Sequence, residues 1–127
     1  MFTKHPTKCN ICGGLVKYIP NKEIYGKSYG SGFCYCCTNC GAYVGTHVPQ
    51  PKVALGILAN AEMRKMKIKC HDIFDSLWDT PSQRQKMYRW LSQELGIGVK
   101  QCHFGYFDLP MLNRAYKILV TKKRYFR

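Results

Sequence analysis

The sequence predicts an α+β fold, with an N-terminal ribbon of about three antiparallel strands packed against a C-terminal three-helix region. Three observations point to it. Cysteines pair at two-residue spacing within the first forty positions, Cys9 with Cys12 and Cys37 with Cys40. Short β-like runs, broken by glycine-rich turns, lie between and after those pairs. From about Asn60 onward, apolar residues recur at helical spacing.

Taken in order, residues 1–8 form a short basic lead-in. Residues 15–19 (LVKYI), 33–36 (FCYC) and 42–46 (AYVGT) are the three strand candidates. The stretch 25–32, YGKSYGSG, is turn-rich and breaks any long element between the first two. Pro49-Gln50-Pro51 punctuates the change from strand-like to helical sequence. It divides the chain into a ribbon module, 1–50, and a helical region, 51–127, expected to pack as a single compact unit. The first helix spans about 60–78, with Asn60 as N-cap and Met63, Met66, Cys70, Ile73, Phe74 and Leu77 on one face. Thr80-Pro81-Ser82-Gln83 is a capping box with proline at N1, the clearest helix start in the chain. That second helix places Met87, Trp90, Leu91 and Leu95 at helical spacing and stops at Gly96. An extended run is expected over 99–107. Asp108 opens a last helix with Leu109, Leu112, Ala115, Tyr116 and Leu119 on one face, and residues 122–127 form a basic tail with interleaved aromatics.

Composition narrows the class. A chain of 127 residues with 46% hydrophobic residues can bury a core. No stretch approaches the run of about 20 apolar residues that spans a bilayer, and the N-terminus lacks the apolar region of a secretory signal. The expectation is a cytoplasmic protein without a membrane partner. Eight cysteines in a reducing compartment read as thiolates, and metal binding is their usual use.

Cys9-Asn10-Ile11-Cys12-Gly13 and Cys37-Thr38-Asn39-Cys40-Gly41 are each C-x2-C-G. The spacer lets both sulfurs of a tight turn point at one ion, and the glycine relieves the backbone where it turns back beneath it. Two such knuckles make a closed tetrahedral thiolate site, which suits one structural Zn²⁺ and marks the module as a zinc ribbon or zinc finger. Two alternatives stay open on sequence: Cys34 can pair with Cys37 at the same spacing, and His47 can replace one cysteine. In the preferred reading Cys34 and Cys36 sit on the strand entering the second knuckle, on opposite or adjacent faces. Cys70, on an apolar helix face, and Cys102, beside His103, are read as packing residues.

The formal net charge is +13. Residues 1–50 hold five lysines against Glu23, and residues 51–127 hold fifteen Lys and Arg against six acids. The excess runs along the whole chain and favours a polyanionic partner, with nucleic acid, DNA or RNA, the first candidate. Lys17, Lys22, Tyr25, Lys27 and Tyr29 lie on or near the ribbon's hairpin, where tyrosine can stack on a base and lysine can meet phosphate. Arg64 and Lys67 on the first helix, and Arg84 and Arg89 on the second, are the helical candidates. A second reading is an interaction protein that binds or inhibits a host or defence enzyme through its aromatics, Phe126 among them, although most of those rings are equally suited to the core. A third is a metal-dependent nuclease. Its only candidates are His71 and Asp75, four apart on one helix face, with His103, and no recognisable nuclease spacing accompanies them. No small-molecule substrate is evident.

The chain also resembles a zinc-finger-containing domain of unknown function found in small proteins of phages and prophages. The resemblance rests on Cys9-x-x-Cys12, Tyr25-Gly26, residues 37–47 (CTNCGAYVGTH) and residues 55–64 (LGILANAEMR). It continues through His71, residues 74–78 (FDSLW), Arg84, residues 88–91 (YRWL) and residues 103–105 (HFG). Lys52-Val53-Ala54 before Leu55-Gly56, and the additional Cys34 and Cys36, depart from that pattern. The resemblance implies a zinc site and a phage-like origin, hence a bacterial host cytoplasm, and supplies no activity.

Overall fold

The computed structural model describes residues 2–125; Met1 of the lead-in and Phe126 and Arg127 of the basic tail lie outside the described residues. The chain divides into two compact units, Met1–Ala61 and Glu62–Arg127.

In the first unit β1 (Val16–Pro20), β2 (Phe33–Cys37) and β3 (Tyr43–Gly45) form an antiparallel sheet in the order β1-β2-β3. The register sets Val16 opposite Cys37, Tyr18 opposite Tyr35, and Tyr35 opposite Val44. Because side chains alternate along a strand, these residues share one face. With Cys9, Ala42, Ala54 and Leu58 they make the ribbon's core. Cys34 and Cys36, two apart on β2, therefore share the other face rather than lying on opposite ones. Within the stretch read as turns sits the end of a one-turn helix, α1 (Lys22–Tyr25), stopped by Gly26 in the left-handed conformation at φ 83°. The buried Asn21 organises this loop: its side chain donates to the Tyr29 carbonyl at 2.8 Å and accepts from the Tyr29 N–H at 3.2 Å. Residues 51–60, counted with the helical region on sequence, lie in this first unit, where Ala54 bridges to Thr46 and Ala59 to Tyr43.

The helical segments are α2 (Ala61–Asp75), α3 (Pro81–Leu95) and α4 (Leu109–Tyr125). The capping box is present in full: Thr80 accepts from the Gln83 N–H while the Gln83 side chain accepts from the Thr80 N–H. Gly96 closes α3 in the left-handed conformation. Helix α2 ends before Trp78. The Ser76 and Leu77 N–H groups reach back three residues, to Ile73 and Phe74, which tightens the last turn and ends the run. The extended run expected over 99–107 is instead two 3₁₀ turns, Val99–Gln101 and Phe104–Tyr106. Phe104 and Phe107, three apart, are both buried, and a 3₁₀ turn brings residues at that spacing to one side. Helix α4 takes in residues 122–125 of the basic tail, since neither glycine nor proline interrupts it after Pro110. Phe74, Leu91, Leu112 and Leu119 are fully buried in this unit, with Phe74 packed edge-on to Phe104 at 5.6 Å. Among the described residues no helix is long and apolar enough to cross a membrane.

Candidate metal centre

Each knuckle is built by the same backbone bonds. The Cys9 N–H donates to the Gly14 carbonyl and the Gly13 N–H returns to the Cys9 carbonyl, at 2.8 and 2.9 Å. In the second knuckle the Cys37 N–H donates to Ala42 and the Gly41 N–H to Cys37, at 2.8 and 3.2 Å. Gly13 and Gly41 take φ of 76° and 79°, a region open to glycine and strained for other residues, which is why each motif carries a glycine after its second cysteine. The knuckles differ one residue further on. A Cβ at Gly14 would stand 2.8 Å from Asn39 Cβ and 3.0 Å from Cys37 Sγ, so this position admits no side chain, whereas its counterpart is the buried Ala42.

The four sulfurs of Cys9, Cys12, Cys37 and Cys40 all lie within 4.8 Å of one another. Cys9 and Cys40 are 3.7 Å apart and Cys12 and Cys37 3.4 Å. A tetrahedron of about 2.3 Å Zn–S bonds has edges of about 3.8 Å, so the separations fit zinc. Backbone N–H groups point at the sulfurs: Ile11 to Cys9, Gly14 to Cys12, and Asn39 and Cys40 to Cys37, all at 3.3–3.4 Å. The Asn39 carboxamide adds a bond to Cys12 at 3.4 Å across the site. That carboxamide, with the Gly14 N–H, holds the Cys12 thiol down at about 6. The Cys40 and Asn39 N–H groups lower Cys37. For Cys40 the Ala42 N–H pulls downward, but desolvation and the crowding of Cys12, Cys9 and Cys37 prevail and push it up to about 12. Such a cluster favours some thiolates and resists the last, a conflict that a divalent cation resolves. With four protein sulfurs the coordination sphere is closed, so the ion is structural: it holds the two knuckles together and offers no position to a substrate.

The alternative ligands fall away. Cys34 faces the opposite side of β2 from Cys37, and its burial pushes its thiol up to about 11. Among the described residues the four cysteines are the only group of three or more metal-type donors close enough to share an ion, so neither His47 nor the set of His71, Asp75 and His103 forms one. His71 instead packs edge-on to Phe104 at 4.7 Å, and His103 to Tyr106 at 4.9 Å. Cys70 and Cys102 are buried, each with its thiol pushed up to about 11 by desolvation, as packing residues should be. Asn39, Asn10 and Thr38 were not singled out from the sequence. The Asn10 side chain grips Leu58 through both its N–H and its carbonyl, at 2.9 and 3.0 Å. Thr38 donates to the Leu15 carbonyl through both its N–H and its hydroxyl. Their only sequence signal is their place between paired cysteines.

The candidate nucleic-acid residues occupy both units. Lys17 is exposed on β1, Lys22 opens α1 and Tyr25 ends it. Tyr25 and Tyr29 meet edge to face at 5.2 Å, with the Lys27 ammonium 5.4 Å from the Tyr29 ring. Arg64 and Lys67 lie on α2, and Arg84 and Arg89 on α3. The Arg84 guanidinium stands over Tyr88 at 4.8 Å and Trp78 at 5.8 Å.

Residues 5–122 match the model of a family described as a zinc-finger-containing domain. No curated protein and no solved structure matches the chain.

Proposed function

We propose that this chain, a member of the zinc-finger-containing domain family, is a phage-type protein that uses its zinc-braced ribbon and basic helices to bind nucleic acid without catalysis. The observation that carries this reading is the distribution of charge. Residues 1–61 hold six lysines against one acid, a net of +5, and residues 62–127 hold fourteen Lys and Arg against six acids, a net of +8. Each unit is thus cationic in its own right, which a single basic tail would not produce. Within the helical unit burial, and after it neighbouring cations, disfavours the charged form of three groups. Lys67 is held below its ordinary range by burial and then by Arg64. His71 is lowered by burial, against the pull of Asp75, with Lys67 and Arg84 adding to the drop. His103 is lowered by burial and then by Arg84. Phosphates neutralise an excess of cations of this kind, and the released counterions drive binding.

The test is a titration of the zinc-loaded protein against single- and double-stranded DNA and RNA at low and physiological salt. Binding whose logarithm falls linearly with the logarithm of salt is the expected result, and the slope counts the phosphates neutralised. Absence of binding at either salt overturns the reading. A host protein that co-purifies after nuclease treatment would then become the better lead.

A further inference from the structure

On the sheet face opposite the ribbon core lies a cavity of about 180 Å³, floored by Cys34 and Gly45 and walled by Tyr25, Tyr29 and Leu55. We propose that it receives one unstacked base of a single-stranded nucleic acid, a deeper step that rests on the nucleic-acid reading above.

Three features favour this occupant. The walls are aromatic and apolar yet remain at the surface: Tyr25 is 47% exposed, Tyr29 49% and Leu55 50%. Rings displayed to water beside a cavity suit a flat π-system, and base–aromatic stacking is how proteins hold single strands. The loop is pre-organised, because Asn21 fixes the Tyr29 backbone through both of its hydrogen-bonding groups and Gly26 ends α1 sharply. Little conformational freedom is then lost when a ligand arrives. The surrounding charge is positive: Lys22 and Lys27 belong to the same loop and Lys17 to the adjoining strand, against the single acid Glu23. A cationic or acyl-chain ligand gains nothing from that surrounding, whereas a base carries phosphates on both sides.

The Asn21, Ser31 and Thr46 side chains of the cavity are already engaged with the protein. Ser31 and Thr46 hydroxyls bond each other at 2.5 Å, and Thr46 also donates to the Phe33 carbonyl. Stacking on an aromatic ring is open to every base, so the site should accept pyrimidines and purines with little discrimination.

The test compares the zinc-loaded wild type with Tyr29→Ala, Tyr29→Phe and Lys27→Ala, using fluorescent oligothymidylate, oligouridylate and a matched DNA duplex. Zinc stoichiometry and circular dichroism serve as the check of folding, and the Asn21 bonds to the Tyr29 backbone need no ring. Tyr29→Ala is expected to weaken both single-stranded probes about 5- to 150-fold, the effect of losing one base stack. It should leave the salt slope and duplex affinity near wild type, and Tyr29→Phe should restore binding. Lys27→Ala should reduce the salt slope by about 1. Unchanged single-strand affinity in Tyr29→Ala, while the wild type still binds, overturns the base site and leaves the nucleic-acid reading intact. An equal loss on duplex and single strands also overturns it. No binding by the wild type to any probe overturns both.

Discussion

The two units reach stability by different physical routes. The ribbon's buried cluster is small: of its eight buried members among the described residues, Cys9 and Cys37 are zinc ligands and Ala42 and Ala54 add little apolar area. Its strands are also short, five, five and three residues. A sheet of that size is marginal without a further brace. The helical unit buries Phe74, Leu91, Phe104, Leu112 and Leu119 and carries none of the four ligands. Family membership is thus carried by a unit that chelation should dismantle and another that it should not reach directly.

Metal removal is the sharpest way to break that contrast. Cys37→Ser, or stripping zinc with a strong chelator, should forfeit most of the roughly 10–16 kcal/mol that structural zinc supplies to such sites. Loss of amide dispersion from the ribbon with retention of most far-UV helical signal is the expected outcome. If the helices melted together with the ribbon, the separation of the two stabilising routes would be wrong. The converse experiment sits at Leu112, fully buried in α4. Leu112→Ala should destabilise by about 2–5 kcal/mol through lost transfer energy and the cavity left behind. Denaturant unfolding would measure it, and the zinc content should stay at one ion per chain.

A finer probe of the ribbon is Asn10. Its carboxamide takes the place of a strand partner for the fully buried Leu58, forty-eight residues away. Asn10→Ala should cost about 1–2 kcal/mol, since two modest bonds are lost and both backbone groups of Leu58 lose their partner. Competition with a chromogenic chelator would report it as faster zinc release. An unchanged release rate would mean that the knuckle is held by its own backbone bonds alone.

These cases show what could be read from sequence. The ligands, the knuckle glycines and the Thr80 cap were legible because each is specified by neighbours within four residues. Asn10 was not, because its function depends on a partner forty-eight positions distant. The same holds for the 3₁₀ turn Phe104–Tyr106, which goes with the burial of Phe104 and Phe107 rather than with local propensity. The cavity beside Tyr29 was half legible. The tyrosines and lysines of the hairpin stood out, whereas Leu55 and Gly45 reach it from other segments of the chain.

The smallest expected effect tests the helical side of the contrast by local chemistry alone. Thr80 accepts from the Gln83 N–H at 3.2 Å, and the Gln83 carboxamide accepts from the N–H groups of Asp79 and Thr80 at 2.7 and 3.2 Å. Thr80→Ala removes one of these bonds and uncovers a helix N–H to water, a loss of about 1 kcal/mol. Thr80→Ser retains the accepting hydroxyl and should recover most of it. Because the box is exposed and lies in the unit without ligands, its loss should lower the denaturant midpoint while leaving zinc affinity unchanged. A shift in zinc affinity of the same size would show that the ribbon draws on helical stability. The two routes would then be one cooperative system.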